Sequence, residues 1–285
     1  MLQRVFFVCF NSSDGTVLIP EMVDREAFLS MCRRGEATNV RAALASGGDA
    51  LLKKDDGDQV SALHIAASAP GMWTRGVEYA DPSSGHKDVV SILLEHGEDI
   101  NSLGCGGCGY GTTTLQVAAF SGHLPVVETV LGVPGINVNA ADEAFGFTAL
   151  HGAAVRGYSR IVSLLSKHPA INLGAITSNH AYLSLNKLTG ERLDYPPSAT
   201  VLHCVSHGWG IDPEVFRSLI KKVDDPNAKD GNGLPPIVGF LQQADYAANW
   251  TQKAECLRVL VDDDRVDLDF KEPKQVPRGL EDLAK

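Results

Sequence analysis

The chain has 285 residues, 44% of them hydrophobic, and a formal net charge of −10 at pH 7. That charge argues against a nucleic-acid phosphate surface or an anionic membrane as the main partner, and is compatible with a basic or apolar protein segment. No apolar run approaches the length of a transmembrane helix, and six cysteines scattered over this length do not make a disulfide framework, so reduced thiols in a cytoplasmic setting are expected.

Residues 1–23 contain VFFVCF, NSSDG and TVLIP, which read as strand, turn and strand, a hairpin-like cap over the apolar unit that follows. The apolar run at the start is too brief for a secretory signal. From residue 24 to 270 one pattern recurs, written most plainly at 147–173, FTALHGAAVRGYSRIVSLLSKHPAINL. Thr148 is an N-cap residue, and Leu150, Ala153 and Ala154 share one helical face. Gly157 suits the left-handed residue that ends a helix. Ile161, Val162, Leu164 and Leu165 form the stripe of a second helix, which His168-Pro169 stops. Helix, tight turn, helix and loop make a unit that cannot cover its own apolar faces.

Roughly six such units follow in phase, at about 24–57, 58–111, 112–146, 147–198, 199–233 and 234–270. The second is interrupted by APGMWTRGVEYADPS at 69–83, an aromatic-bearing loop that either contacts a partner or packs on the array. LGCGGCGYG at 103–111 lengthens the loop into the third unit. About twenty residues are inserted around 174–197, and AYLSLNKLTGERLDY within them reads as a projecting two-stranded hairpin. QQADYAANWTQ at 242–252 lengthens the last unit. Residues 271–285 read as a polar end cap or as the start of further chain.

Leu63-His64, Leu150-His151, Leu202-His203, Gly85-His86, Gly122-His123, Asp99-Ile100-Asn101 and the D-G-N-G of 230–233 carry a resemblance to ankyrin repeats over nearly the whole chain. The resemblance implies an all-α ankyrin-repeat solenoid, here with an N-terminal hairpin-like cap and an inserted hairpin. It also implies that the repeat histidines brace the turns by bonding to backbone of the neighbouring unit. Two departures stand out: Gln116 replaces the histidine of the third unit, and Pro235-Pro236 opens the last unit, which has no histidine at that place.

Residues that suggest chemistry read more simply as structure. Cys105 and Cys108 form a CxxC with no second ligand pair for zinc. Cys204 beside His203 and His207 suggests a nucleophile and base, but no third group orients the base. Asp262, Asp263, Asp264, Asp267 and Asp269 lack the glycine and distal glutamate of a calcium loop. No metal, cofactor or catalytic residue is expected.

What remains is a surface. Tyr110, Thr112, Phe120, Phe145, Phe147, Arg156 and Trp209, with Trp73 from the insert, are expected to line the concave side and bind a partner protein, the chain itself being a monomer. On this reading Phe120→Ala with Phe147→Ala spares the fold and weakens capture. Two alternatives remain: a microbial effector that uses its array to engage a host protein in the host cytoplasm, and a thiol enzyme with a Cys–His site.

Overall fold

The structure, a computed structural model, describes residues 23–46, 52, 61–68, 86–106, 109–143, 145–178, 182–183, 193–194, 196–208, 211–242 and 250–269. The expected cap at 1–20, the insert at 69–83 and the tail at 271–285 lie outside these residues. Among the described residues, six helix pairs follow one another: α1 (Arg25–Arg34) with α2 (Ala37–Ala45), α3 (Ala62–Ala67) with α4 (His86–Glu95), α5 (Thr114–Ser121) with α6 (Leu124–Leu131), α7 (Ala149–Val155) with α8 (Ser159–Leu165), α9 (Val201–His207) with α10 (Pro213–Ile220), and α11 (Pro236–Gln242) with α12 (Trp250–Val261). Each odd-numbered, inner helix packs on the inner helix of the unit before and after it. The even-numbered, outer helices stack in the same order. The architecture is the expected mostly helical solenoid.

The sequence explains where each helix starts and stops. Thr113, Thr148 and Thr200 are extended N-cap residues, each joined in a capping box to the third helical residue: Gln116, His151 or His203. Ser61 caps α3, and Asp24 and Asp212 cap α1 and α10. At the turn between inner and outer helix stands a left-handed glycine, Gly35 (φ 69°), Gly122 (φ 77°) or Gly157 (φ 72°). Gly122 is needed twice over, because a Cβ there would sit 2.7 Å from the Tyr158 ring of the next unit. Helices of six to eight residues are too short to persist alone in water. Their stability comes from stacking, with Phe28, Leu63, Leu115, Leu150, Leu202 and Phe216 fully buried in one continuous core. Each such side chain contributes about 1.5–3 kcal/mol of burial.

Two short antiparallel strand pairs interrupt the helices. β1 (Gly104–Gly106) and β2 (Gly109–Thr112) pair with Gly104 opposite Thr112 and Gly106 opposite Gly109. The sequence suggested only a loop there, since glycine carries no strand propensity. Gly104 lies flat over His64, where a Cβ would come within 2.8 Å of the ring. β3 (Tyr182–Leu183) and β4 (Leu193–Asp194) pair in the inserted segment, as its two-strand pattern suggested.

Candidate protein-binding surface

The loops that follow the outer helices α4, α6, α8 and α10 are fixed by two sets of straps. The first comes from the residue at the third helical position of each inner helix from α3 to α9. The His64 Nε2–H donates to the Thr112 carbonyl at 2.7 Å, His151 to Ala175 at 3.1 Å and His203 to Leu234 at 3.0 Å. Each bond joins one unit to the loop leading into the next. Gln116 does the same work with an amide. Its Nε2 donates to Ala140 at 3.0 Å and Phe147 at 2.6 Å, while its Oε1 accepts from the Thr113 N–H at 2.6 Å. In His151 and His203 the Nδ1 accepts from the N-cap backbone, so both rings must stay neutral. Burial lowers the His151 pKa to about 4 and lowers that of His203.

The second set was not anticipated. Asp99, Asn137, Asn172, Asp225 and Asp267 each accept the backbone N–H two residues on, an Asx turn repeated five times. Two residues beyond three of these turns, an asparagine reaches into the next unit. Asn101 donates to Gly135 and accepts from the Asn137 N–H, Asn139 does so with Ala170 and Asn172, and Asn227 with Arg265 and Asp267.

Four of the expected concave residues are not open surface. Thr112, Phe120, Phe147 and Arg156 are all buried, none more than 8% exposed, which corrects their reading as exposed anchors. Every described residue of α3, α5 and α7 is likewise buried. The reasons are local. The Arg156 guanidinium lies 5.0 Å from the centroid of the Phe120 ring, a cation–π contact between adjacent units. The ring also packs on Gly152, where a Cβ would come within 3.3 Å of it. A glycine inside α7, one unit on from Phe120, was the signal available in the sequence. The Phe147 ring packs edge-on against His151 with centroids 5.8 Å apart, and its carbonyl receives Gln116. The Thr112 carbonyl receives His64, and its hydroxyl donates to Gly104. Phe145 is half-buried at a loop tip. Its N–H donates to the Asp142 carboxylate at 2.7 Å, and its carbonyl accepts from the Ser178 N–H. Tyr110 lies on β2, but its side chain is outside the described residues, as are Trp73 and Trp209.

Two of the exposed large apolar side chains, Leu103 and Ile176, lie on the loop edge. Four residues past consecutive Asx-turn residues stand Leu103, Ala141, Ile176 and Lys229, all exposed. Leu103 is 49% exposed and Ile176 57%. Exposed acidic residues surround the row, with Asp99, Glu143, Asp224 and Asp225 on the same loops.

The thiols are poor nucleophiles where they are described. Cys204 is completely buried, and burial pushes its thiol far above the ordinary range. Burial raises Cys32 and Cys256 to about 12. The side chains of Cys105 and Cys108 lie outside the described residues. Lys253 is buried too, and desolvation lowers its pKa to about 8. In the aspartate-rich run, Asp263 pairs with Arg265, whose guanidinium also donates to Ile220 and Val223. Among the described residues no cluster of three or more histidine, cysteine or acidic side chains is placed to hold a metal.

The second, third and fourth units match known repeats. The ankyrin repeat family model matches residues 58–104 and 145–178, and the three-copy ankyrin repeats model matches 83–142. Residues 58–142 and 145–178 thus carry ankyrin repeats, and such repeats support a protein-interaction scaffold in general. No curated protein matches the chain. Among the described residues no helix is long and apolar enough to cross a membrane.

Proposed function

We propose that the protein is a non-enzymatic, monomeric interaction scaffold of the cytoplasm. It holds a partner protein along the loop edge of the solenoid rather than on the inner helices. The observation that carries this reading is the exposure of Leu103 and Ile176 at equivalent tips of different units. An apolar side chain has no packing duty at a loop tip, and two in one register form a discontinuous apolar row. The straps beneath are made before binding, so little ordering cost remains. The acidic residues on the same loops favour a partner segment with apolar side chains flanked by lysine or arginine. The buried, high-pKa thiol of Cys204 supports the absence of thiol catalysis there.

The test is comparative capture from the native cell type, quantified by mass spectrometry. Leu103→Asp with Ile176→Asp should leave the thermal midpoint within about 2 °C, since surface substitutions away from packing cost little. A genuine partner should be lost at least about tenfold, as expected when central anchors are removed. An unchanged set of captured proteins would show that the loop edge is not the binding surface.

A further inference from the structure

The junction between the fifth and sixth units places an amine where earlier junctions place an aromatic ring or an aliphatic side chain. Counting back fourteen residues from the Asx-turn residues Asn137, Asn172, Asp225 and Asp267 reaches His123, Tyr158, Ile211 and Lys253. All four are buried, and Lys253 is only 5% exposed. The position seats a unit on the one before it. His123 hydrogen-bonds the backbone of Ala67 at the end of α3, and the Tyr158 ring lies over Gly122, where a Cβ would come within 2.7 Å of it.

The surroundings of Lys253 do not balance a cation. Lys253 and Cys256 share one face of α12. The Cys256 thiol donates to the Ile211 carbonyl of the fifth unit at 3.5 Å, so this face is turned toward that unit. α12 packs on α10 and α11, and α11 carries no charged residue. On α10, Glu214 and Arg217 pair with each other, while the N-cap Asp212 accepts from the N–H groups of Glu214 and Val215. His207 of α9 acts on Lys253 electrostatically, but burial holds its pKa at about 4 and the ring neutral. Asp230 is engaged by the Asn232 and Leu234 N–H groups, and on α12 itself Glu255 pairs with Arg258. Among the described residues no side chain forms an ion pair or hydrogen bond with the Lys253 amine. A buried ammonium without a counter-charge carries a desolvation penalty that a neutral amine does not.

We propose that Lys253 is a charge switch at the junction of the fifth and sixth units: the ammonium form loosens the seat of α12, and the neutral amine firms it. The same junction holds the bonds from Asn227 to Arg265 and Asp267, so opening of the sixth unit also breaks the cross-bonds of the loop that carries Lys229. Burial lowers the Lys253 pKa from its usual 10.5 to about 8. Below about pH 8 the amine is charged in the folded and the unfolded chain alike, and the penalty is fully present. Between those limits the unfolded chain holds more of the proton, so folding gains from this group as pH rises.

The test uses the full chain. Lys253→Met, similar in size and uncharged, should raise the thermal midpoint at pH 7 by about 5–10 °C and slow amide hydrogen exchange in residues 250–261. The gap from wild type should close as pH is raised from 8 to 10.5, because the wild-type amine then becomes neutral. Comparison with wild type at each pH cancels the buried thiols and the other lysines, which both chains share. Lys253→Arg keeps its charge throughout, so its midpoint should fall further behind wild type over the same range. A methionine variant no more stable than wild type at pH 7 would overturn the proposal, since the ammonium would then be well accommodated. A gap that does not change with pH, for either variant, would overturn it too, for packing and not charge would govern the junction.

Discussion

Gln116 offers the sharpest test of how the units are joined, because it stands where three other units carry histidine. Gln116→Ala removes the acceptor of the Thr113 N–H and both donors that reach the Ala140 and Phe147 carbonyls. Losing half of a capping box costs about 1 kcal/mol, and two inter-unit hydrogen bonds contribute about 1 kcal/mol each, more where a buried acceptor is left unpaired. The sum is about 3 kcal/mol. Gln116→His should recover most of it. A neutral ring in the pose of His151 would accept from the N-cap and donate to one carbonyl. It would forgo only the second, a residual loss of about 1 kcal/mol. Urea unfolding followed by far-UV circular dichroism, with midpoints compared at equal slope, measures both. If alanine costs less than about 0.5 kcal/mol, or if histidine is no better than alanine, the strap does not hold the third unit to the fourth, and the reasoning fails.

Acid should dismantle the array before carboxylate protonation does. Burial, the largest cause in each case, lowers His123, His151 and His207 to about 4, whereas their unfolded values lie near 6.5. The unfolded chain therefore binds more protons between those limits. The stability is fully present above about pH 6.5 and is lost as pH falls towards 4, at up to about 4 kcal/mol per pH unit if all three titrate together. Thermal midpoints measured from pH 7.5 to 4.5 would show the slope, and a flat profile would contradict the burial of these rings. Phe120→Ala is expected to destabilise the fold by about 3–5 kcal/mol, since it empties a packed site against Gly152 and leaves Arg156 without its ring. Denaturant midpoints check this, and a neutral result would restore the exposed role first expected of Phe120.

The repeat frame could be read from the sequence because its marks are local. Thr148 capping α7, Gly157 turning the chain and His151 at the third helical position each act within a few residues, and local chemistry repeats with the period. The role of Gln116 was also latent, since an amide, like a neutral imidazole, offers an acceptor and a donor on one side chain. The surface was less legible. Whether Phe120 is exposed depends on Gly152 and Arg156 in the next unit, so the answer lies in the pairing of units and not in either one. The asparagine straps were hidden for the same reason: Asn101 and Asn139 look like ordinary loop residues until their carbonyl partners 31–34 residues away are known. The β1–β2 pair is rich in glycine, whose presence at position 104 permits close approach to His64 without specifying a strand.

These straps also bear on how binding would work. A loop tip held only by its own turn would lose conformational freedom when a partner arrived. Here Asn101 ties the loop carrying Leu103 to the next unit, and the loop carrying Ile176 is tied at Ala175 by His151 and at Asn172 by Asn139. The spacing of the two tips is therefore set by inter-unit hydrogen bonds rather than by the partner. Removing Asn139, whose bonds run to Asn137, Ala170 and Asn172, should then weaken partner capture by loosening the register between tips. The loss should be smaller than for the tip substitutions, and it should appear as faster dissociation. Asn139→Ala deletes a donor to Ala170 at 2.7 Å and the acceptor of the Asn172 N–H at 2.7 Å. If dissociation were unchanged while the thermal midpoint fell, the straps would serve stability alone, and the tips would act as independent contacts.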